Sequence, residues 1–360
     1  MKQRLFMGFG ILLMLAIGYG AWWYWQNLRG AGPAFTPPTA NIVNLIEQNK
    51  PNTPLSPGQN KTDFPLSIPD GFTISIFAEG LGKARVLQQD TNGTILVSSL
   101  DKGQVIALPD QNNDGMADNQ VVLLNNQQNP HGLYLDCQND NSCTLYVAQE
   151  QRVSSFDYLS NPPRVTNEKQ MITLPRGGRH FTRTLLINPA NRDELLISIG
   201  STCDVCVENN PIHGSIQVFN LQTKQLAPFA TGLRNSVFMT NRPETDEVWA
   251  TEMGRDHLGD DLPPDEINRI VQDGNYGWPY AYGKNQEDKT FPFPRKEGVV
   301  YDIYTIPSHI DLPAHSAPLG LAFVPPNSKW PEAYWGNLFV SFHGSWNRTE
   351  PTGYKIVRFI

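Results

Sequence analysis

An apolar strand, a polar loop and a second apolar strand recur along this chain at near-constant spacing. GTILVSSLDKGQVIAL, CTLYVAQEQRVSSFDY, ELLISIG with GSIQVFN, and EVWATEMG with DEINRIV share the pattern. Their anchors Ile95, Leu145, Leu196 and Val248 lie about 50 residues apart. NLFVSFHGSWNR with GYKIVRF, anchored on Leu338, is a fifth copy after a longer insertion. Period-two runs broken by Gly, Pro, Asn and Asp read as short strands. A strand-only unit of this length cannot bury both faces alone, which predicts the blades of an all-β propeller spanning residues 64–360. The 29 glycines and 29 prolines suit many short strands and turns better than helices. Five blades are legible and IVRFI stops in mid-strand. Ring closure therefore predicts a six-bladed propeller whose last blade lies beyond a C-terminally truncated sequence.

The segment before Phe64 predicts export. MKQR is basic, and Leu5 to Trp25 is an uncharged, largely apolar run of about 21 residues, enough for a bilayer span. It ends in Trp22, Trp23, Tyr24 and Trp25, which suit a membrane interface. The expectation is a cytoplasmic stretch at 1–4 and an uncleaved inner-membrane helix at 5–25, with the propeller in the periplasm. AGPAF leaves open a cleaved signal and a secreted product. Residues 26–63, rich in Pro, Asn, Gln and Thr, read as a linker with one short helix at IVNLIEQ. The cysteines agree with an oxidising compartment. Cys137 and Cys143 bracket the turn-like QNDNS and would close a hairpin. Cys203 and Cys206 form a lone C-x-x-C without the second pair that zinc needs, which reads as a local disulfide or a redox-active pair.

A formal charge of −7 with no basic run gives no electrostatic footing for nucleic acid. The partner should be a small molecule or a protein. Loops at one end of the blades carry the unusual residues: His131 in NPHGLY; Arg179, His180 and Arg183 in GGRHFTRTLL; Arg234 and Asn235 in TGLRN; His343, Asn347 and Arg348 in HGSWNR. A histidine with no neighbouring acid is neutral at pH 7 and can take a proton. Arginines converging on one funnel make an anion site. One base amid arginines suits oxidation of an alcohol by a cofactor that carries carboxylates.

Together GGRHFTRTLL, TGLRN, EINRIV with NYGWP, AHSAPLGL and HGSWNR resemble the glucose/sorbosone dehydrogenases, in particular their L-sorbosone dehydrogenase-like branch. The resemblance covers about residues 64–360. It implies a quinoprotein that uses pyrroloquinoline quinone (PQQ) and Ca2+ to oxidise sugars or sugar aldehydes. The resemblance leaves the electron acceptor unnamed, and the expected anchor points to a membrane quinone or a cytochrome. It implies that His180 is the general base and that Arg234 and Asn235 stand beside the quinone carbonyl. Carbonyls at Met253, Gly254 and Arg255 would serve the cofactor's calcium. His131, His343 and Arg348 fall near cofactor-contacting positions, and Asp265, Glu266 and Tyr276 match a second, structural calcium site. This sequence departs from the pattern at Pro130, where the family has a glutamine, and at Arg255, where it has a proline.

Several features keep two readings. DQNNDGMAD, with Asp110, Asn112, Asp114 and Asp118 around Gly115, suits either a bound calcium or a plain hairpin turn. His315 lines the funnel or is structural. His213, His257 and His309 read as surface or structural residues, Trp278 and Trp346 as blade-packing or rim residues, and Asp260 and Asp261 as a solvated turn. A non-catalytic propeller that binds glycans or proteins is the main alternative function. A lactonase-like metal hydrolase would want carboxylates where the inner loops carry His and Arg.

Overall fold

The computed structural model describes residues 14–23, 60–139, 142–295 and 304–360. Five successive sheets form the blades of a propeller. Blade 1 runs β1 (Ala84–Gln89), β2 (Ile95–Ser99), β3 (Gln104–Leu108) and β4 (Val121–Leu124). Blade 2 runs β5 (Leu133–Asn139), β6 (Ser142–Ala148), β7 (Arg152–Ser160) and β8 (Pro163–Thr173). Blade 3 holds β9 (Arg183–Ile187), β10 (Glu194–Ile199), β11 (Ser215–Asn220) and β12 (Leu226–Thr231). Blade 4 holds β13 (Phe238–Asn241), β14 (Val248–Glu252) and β15 (Asp265–Ile270). Its chain then leaves through β16 (Gly274–Asn275), β17 (Ala281–Tyr282) and β18 (Gln286–Glu287), and returns as β19 (Ile310–Leu312). Blade 5 has β20 (Pro318–Phe323), β21 (Leu338–Phe342) and β22 (Lys355–Phe359). A sixth blade is not among the described residues.

The repeat anchors Ile95, Leu145, Leu196, Val248 and Leu338 all fall on the second strand of a blade, not on the innermost one. Inner strands are buried on both faces, because blades stack on each other. Every residue of RTLLI in β9 and of VWATE in β14 is buried. Outer strands expose one face and much of the second, as in β8. The core is therefore a series of interblade layers, in which Leu96, Leu133 and Leu145 join blades 1 and 2. Leu186, Leu196, Met239 and Val248 join blades 3 and 4, and Trp249, Ile267, Leu338 and Val340 join blades 4 and 5.

Buried hydroxyls stitch these layers. Ser98 Oγ donates to the His131 carbonyl at 2.8 Å and Thr251 Oγ1 to the Leu319 carbonyl at 2.9 Å, and Ser198 Oγ donates to the Ser236 carbonyl. Each runs from a second strand to the entry of the next innermost strand, so each fixes where that entry lies. The segment before blade 1 spans its two neighbours. Phe72 meets Trp330 and Tyr334 beside blade 5, while Phe77 and Leu81 cover Val97, Ile106 and Leu108 of blade 1.

Both expected disulfides are present: Cys137–Cys143 closes the β5–β6 hairpin, and Cys203–Cys206 closes a small ring after β10. The expectation of an inner-membrane anchor is corrected. Among the described residues no helix is long and apolar enough to cross a membrane. The helical residues 14–23 would rise only about 15 Å, half a hydrocarbon core. Residues 1–13 and 24–59, with the rest of the apolar run, most of the linker and IVNLIEQ, lie outside the described residues.

Candidate active site

In an antiparallel blade the start of the innermost strand lies beside the end of the second strand. Residues entering β9, β13 and β20 therefore meet residues leaving β14 and β21 at one end of the blades. There Arg179, His180, Arg234, Asn235, Met253, Gly254, Asp256, Asp265, His315 and Asn347 line a cavity of about 240 Å3, with Trp346 half exposed on it.

The base candidate is held by a short relay. His180 Nδ1 lies 3.1 Å from the Ser201 carbonyl and 2.9 Å from Ser201 Oγ, and Ser201 Oγ donates its proton to the Cys203 carbonyl at 2.6 Å. With that proton committed, both Ser201 oxygens act as acceptors, so Nδ1 carries the hydrogen and Nε2 keeps its lone pair. Burial, then the cations Arg234 and Arg179, push the imidazole down to about 3, so it is neutral at pH 7. Gly200 makes the approach possible: a Cβ there would come within 2.6 Å of the His180 Cβ and 2.7 Å of Asn235 Oδ1.

The arginines do converge, but each meets an acid. Arg234 pairs with Asp204 at 2.7 Å and more loosely with Asp256 at 3.5 Å, while Arg179 pairs with Asp256. Asn347 Nδ2 donates to the other oxygen of Asp256 at 2.7 Å. Burial pushes Asp256 above its ordinary value. It pushes Asp204 up as well, but Arg234 and the Asp256 N–H together hold that carboxyl low. Asp204, Asp256 and Ser201 escaped the sequence reading. The first sits inside the C-x-x-C and the second just after Gly254-Arg255, which is the only hint the sequence offers. Arg183 leaves the cavity: it is fully buried and its guanidinium serves the His180, Thr182 and Pro175 carbonyls.

Strand alternation separates the adjacent acids of β15. Asp265 faces the large cavity, accepting from the Gly254 and Ala317 N–H groups at 2.9 Å each, and burial raises it to about 6. Glu266 turns the other way, with Tyr276 and Glu252, onto a second cavity of about 20 Å3. Burial raises Glu252 to about 7 and Glu266 to about 8. Glu266 accepts from the Gly283 N–H and Asn268, and the Tyr276 hydroxyl donates to the Arg269 carbonyl. Arg255 points away from the large cavity onto Asp288 at 2.7 Å.

Three expected cofactor contacts are elsewhere. His131 is wholly buried, with Nδ1 3.0 Å from the Arg183 carbonyl and its ring against Phe238. His343 is exposed beside the cavity-lining loop. Arg348 is anchored by the Asp260 carbonyl and by Asp261 at 3.1 Å, which gives the supposed solvated turn a structural task. His315 does line the cavity, with Nε2 2.8 Å from the Gly259 carbonyl. In the 110–118 loop, Asp110, Asn112, Asp114 and Asp118 accept hydrogen bonds from the loop's own N–H groups.

The family model described as TrAA12-like matches residues 66–291 and 302–360. The chain belongs to the TrAA12-like family. An uncharacterized protein of Borreliella burgdorferi is 32% identical over 299 residues, 81% of this chain and 75% of that one. A pyrroloquinoline quinone-dependent pyranose dehydrogenase of Coprinopsis cinerea is 24% identical, covering 84% of this chain but only 46% of its own length. This chain thus spans about half of that dehydrogenase. The calcium structure of the Trichoderma reesei family AA12 enzyme shares the fold at a TM-score of 0.64, with 23% identity and 78% of both chains covered.

Proposed function

We propose that this member of the family is a PQQ-dependent oxidoreductase that oxidises a sugar or sugar aldehyde, of the aldose or sorbosone type. The observation that carries the reading is the neutral His180, its Nε2 lone pair free, in a cavity shared with Arg179, Arg234 and Asn235. The donor set fits a planar tricarboxylate. Arg179 keeps 38% of its side chain exposed and pairs with a single carboxylate, so further guanidinium donors remain for a ligand. Arg179, Arg234 and Asn235 would hold PQQ, and carbonyls at Gly254 and Arg255 would hold its Ca2+. Because the Arg255 guanidinium is bound to Asp288, its charge does not crowd that position.

When bound, PQQ and Ca2+ supply the hydride acceptor and its polarisation. His180 Nε2 takes the proton of the substrate hydroxyl. Arg234, fixed and nearly buried, offers positive charge where negative charge develops. Trp346, half exposed on the cavity, gives the sugar an apolar face. The second Ca2+ suits the small cavity at Glu266, Tyr276 and Glu252, where two buried carboxylates of raised pKa meet in space for a single ion or water.

One observation favours a non-catalytic glycan-binding propeller: Asp204 and Asp256 neutralise the two arginines. The deciding experiment adds PQQ and Ca2+ to the full chain and follows dye reduction with aldoses and sorbosone. Cofactor uptake with sugar-dependent reduction is expected, abolished by His180→Ala. No uptake would refute the enzyme; activity retained in His180→Ala would refute the base.

A further inference from the structure

We propose that Asp204, held in the Cys203–Cys206 ring, is the positioning residue of this site, fixing the Arg234 guanidinium beside His180. The inference deepens the reading of Arg234 as the charge-stabilising group and rests on it.

Asp204 holds the guanidinium at two points. Arg234 Nε donates to the Asp204 carbonyl at 3.0 Å and a terminal nitrogen to Asp204 Oδ1 at 2.7 Å. The other terminal nitrogen donates to the Met253 carbonyl at 3.2 Å, so the plane of the fork is set on three sides. Both of the Asp204 acceptors carry a second load. Trp278 Nε1 donates to its carbonyl at 3.3 Å and the Asp256 N–H to its Oδ1 at 2.9 Å. One residue in a loop thus sets Arg234, the Asp256 backbone and the Trp278 indole.

Such a hub needs a fixed backbone, and residues 201–210 have no ladder to give it one. The disulfide does so by closing a ring with a sequence separation of 3 around Asp204 and Val205. Thr202, just before the ring, is tied to Glu208, just after it, by its N–H at 2.6 Å and its hydroxyl at 2.7 Å. The same loop accepts the Arg179 N–H on the Thr202 carbonyl at 2.9 Å.

Charge explains why an acid is needed there. Without Asp204 both arginines would compete for Asp256, to which Arg179 is already bound and Arg234 is only 3.5 Å away. Asp204 gives Arg234 an acid of its own, so Arg179 keeps Asp256 and Arg234 keeps its place in the cavity it shares with His180.

The test uses the 15N-labelled full chain and follows arginine Nε–H resonances, with Arg234 identified by its loss in Arg234→Lys. In the oxidised wild type this proton should exchange slowly. Asp204→Ala, and separately Cys203→Ser with Cys206→Ser, should speed its exchange by about 10-fold or more, as expected of a locally opened contact. Arg183, fully buried in the same blade, should keep its own rate and so report an intact fold. In the PQQ-loaded protein the same variants should lower kcat by about 10-fold while leaving KM for the sugar nearly unchanged. Unchanged Arg234 exchange in every variant, or Arg183 accelerating equally, would overturn the proposal. If the wild type takes up no PQQ, the enzyme reading fails, and the exchange rates still decide the role of Asp204.

Discussion

Replacing His180 by glutamine tests whether the cavity really holds a neutral imidazole among cations. In the unfolded chain this histidine has its ordinary pKa of 6.5; in the fold, burial, Arg234 and Arg179 hold it at about 3. The folded state therefore binds fewer protons, and stability present above 6.5 is lost as the pH falls toward 3. Between pH 7 and pH 5 the unfolded wild type gains about 2 kcal/mol that the folded state does not share. Glutamine cannot titrate, so the stability difference should move by that amount in favour of His180→Gln. The result needs only a folded pKa well below 5. Asp265, Glu252 and His131, whose pKa values are also displaced, occur in both proteins and cancel. Urea unfolding followed by tryptophan fluorescence at both pH values measures the difference. A change below about 0.5 kcal/mol would mean that His180 protonates freely in the fold, and the reasoning that makes it a neutral base would be wrong.

Arg234→Ala should destabilise the protein by about 3 kcal/mol in chemical unfolding, because it removes the cation paired with the half-buried Asp204, whereas Asp256 keeps Arg179 and Asn347. Gly200→Ala should cost about 1–3 kcal/mol and abolish cofactor uptake, since the new methyl meets both His180 and Asn235. Glu266 has the opposite sign from His180. Burial raises it from 4.5 to about 8, so its stabilising protonated form is complete below 4.5 and is lost as the pH rises through 8. Thermal unfolding of metal-free protein from pH 5 to 9 should therefore decline more steeply in the wild type than in Glu266→Gln.

The blade repeat was legible because interblade burial demands apolar residues at the same place in every copy. What spacing did not reveal was the rank of the anchor strands. Ile95, Leu145, Leu196, Val248 and Leu338 lie on second strands, and the innermost strands that precede them are of similar length, so a repeat distance alone does not say which strand lies nearest the axis. Both disulfides were readable from local spacing, since each spans only a few residues. The membrane anchor read from the apolar run is not supported, since only residues 14–23 of that run are described and among the described residues no helix is long and apolar enough to cross a membrane.

The sequence by itself determined a strand-built repeat, the end of each blade where reactive side chains collect, and the candidates His180, Arg234 and Asn235. Only the tertiary structure decided their electrical state. Asp204 and Asp256 reach Arg234 from loops 30 and 22 residues away, and Asn347 reaches Asp256 across 91. Contacts at such separations follow from how blades stack. The same holds for Asp265 and Glu266, which are neighbours in the chain but face different cavities once the strand alternates between two buried faces.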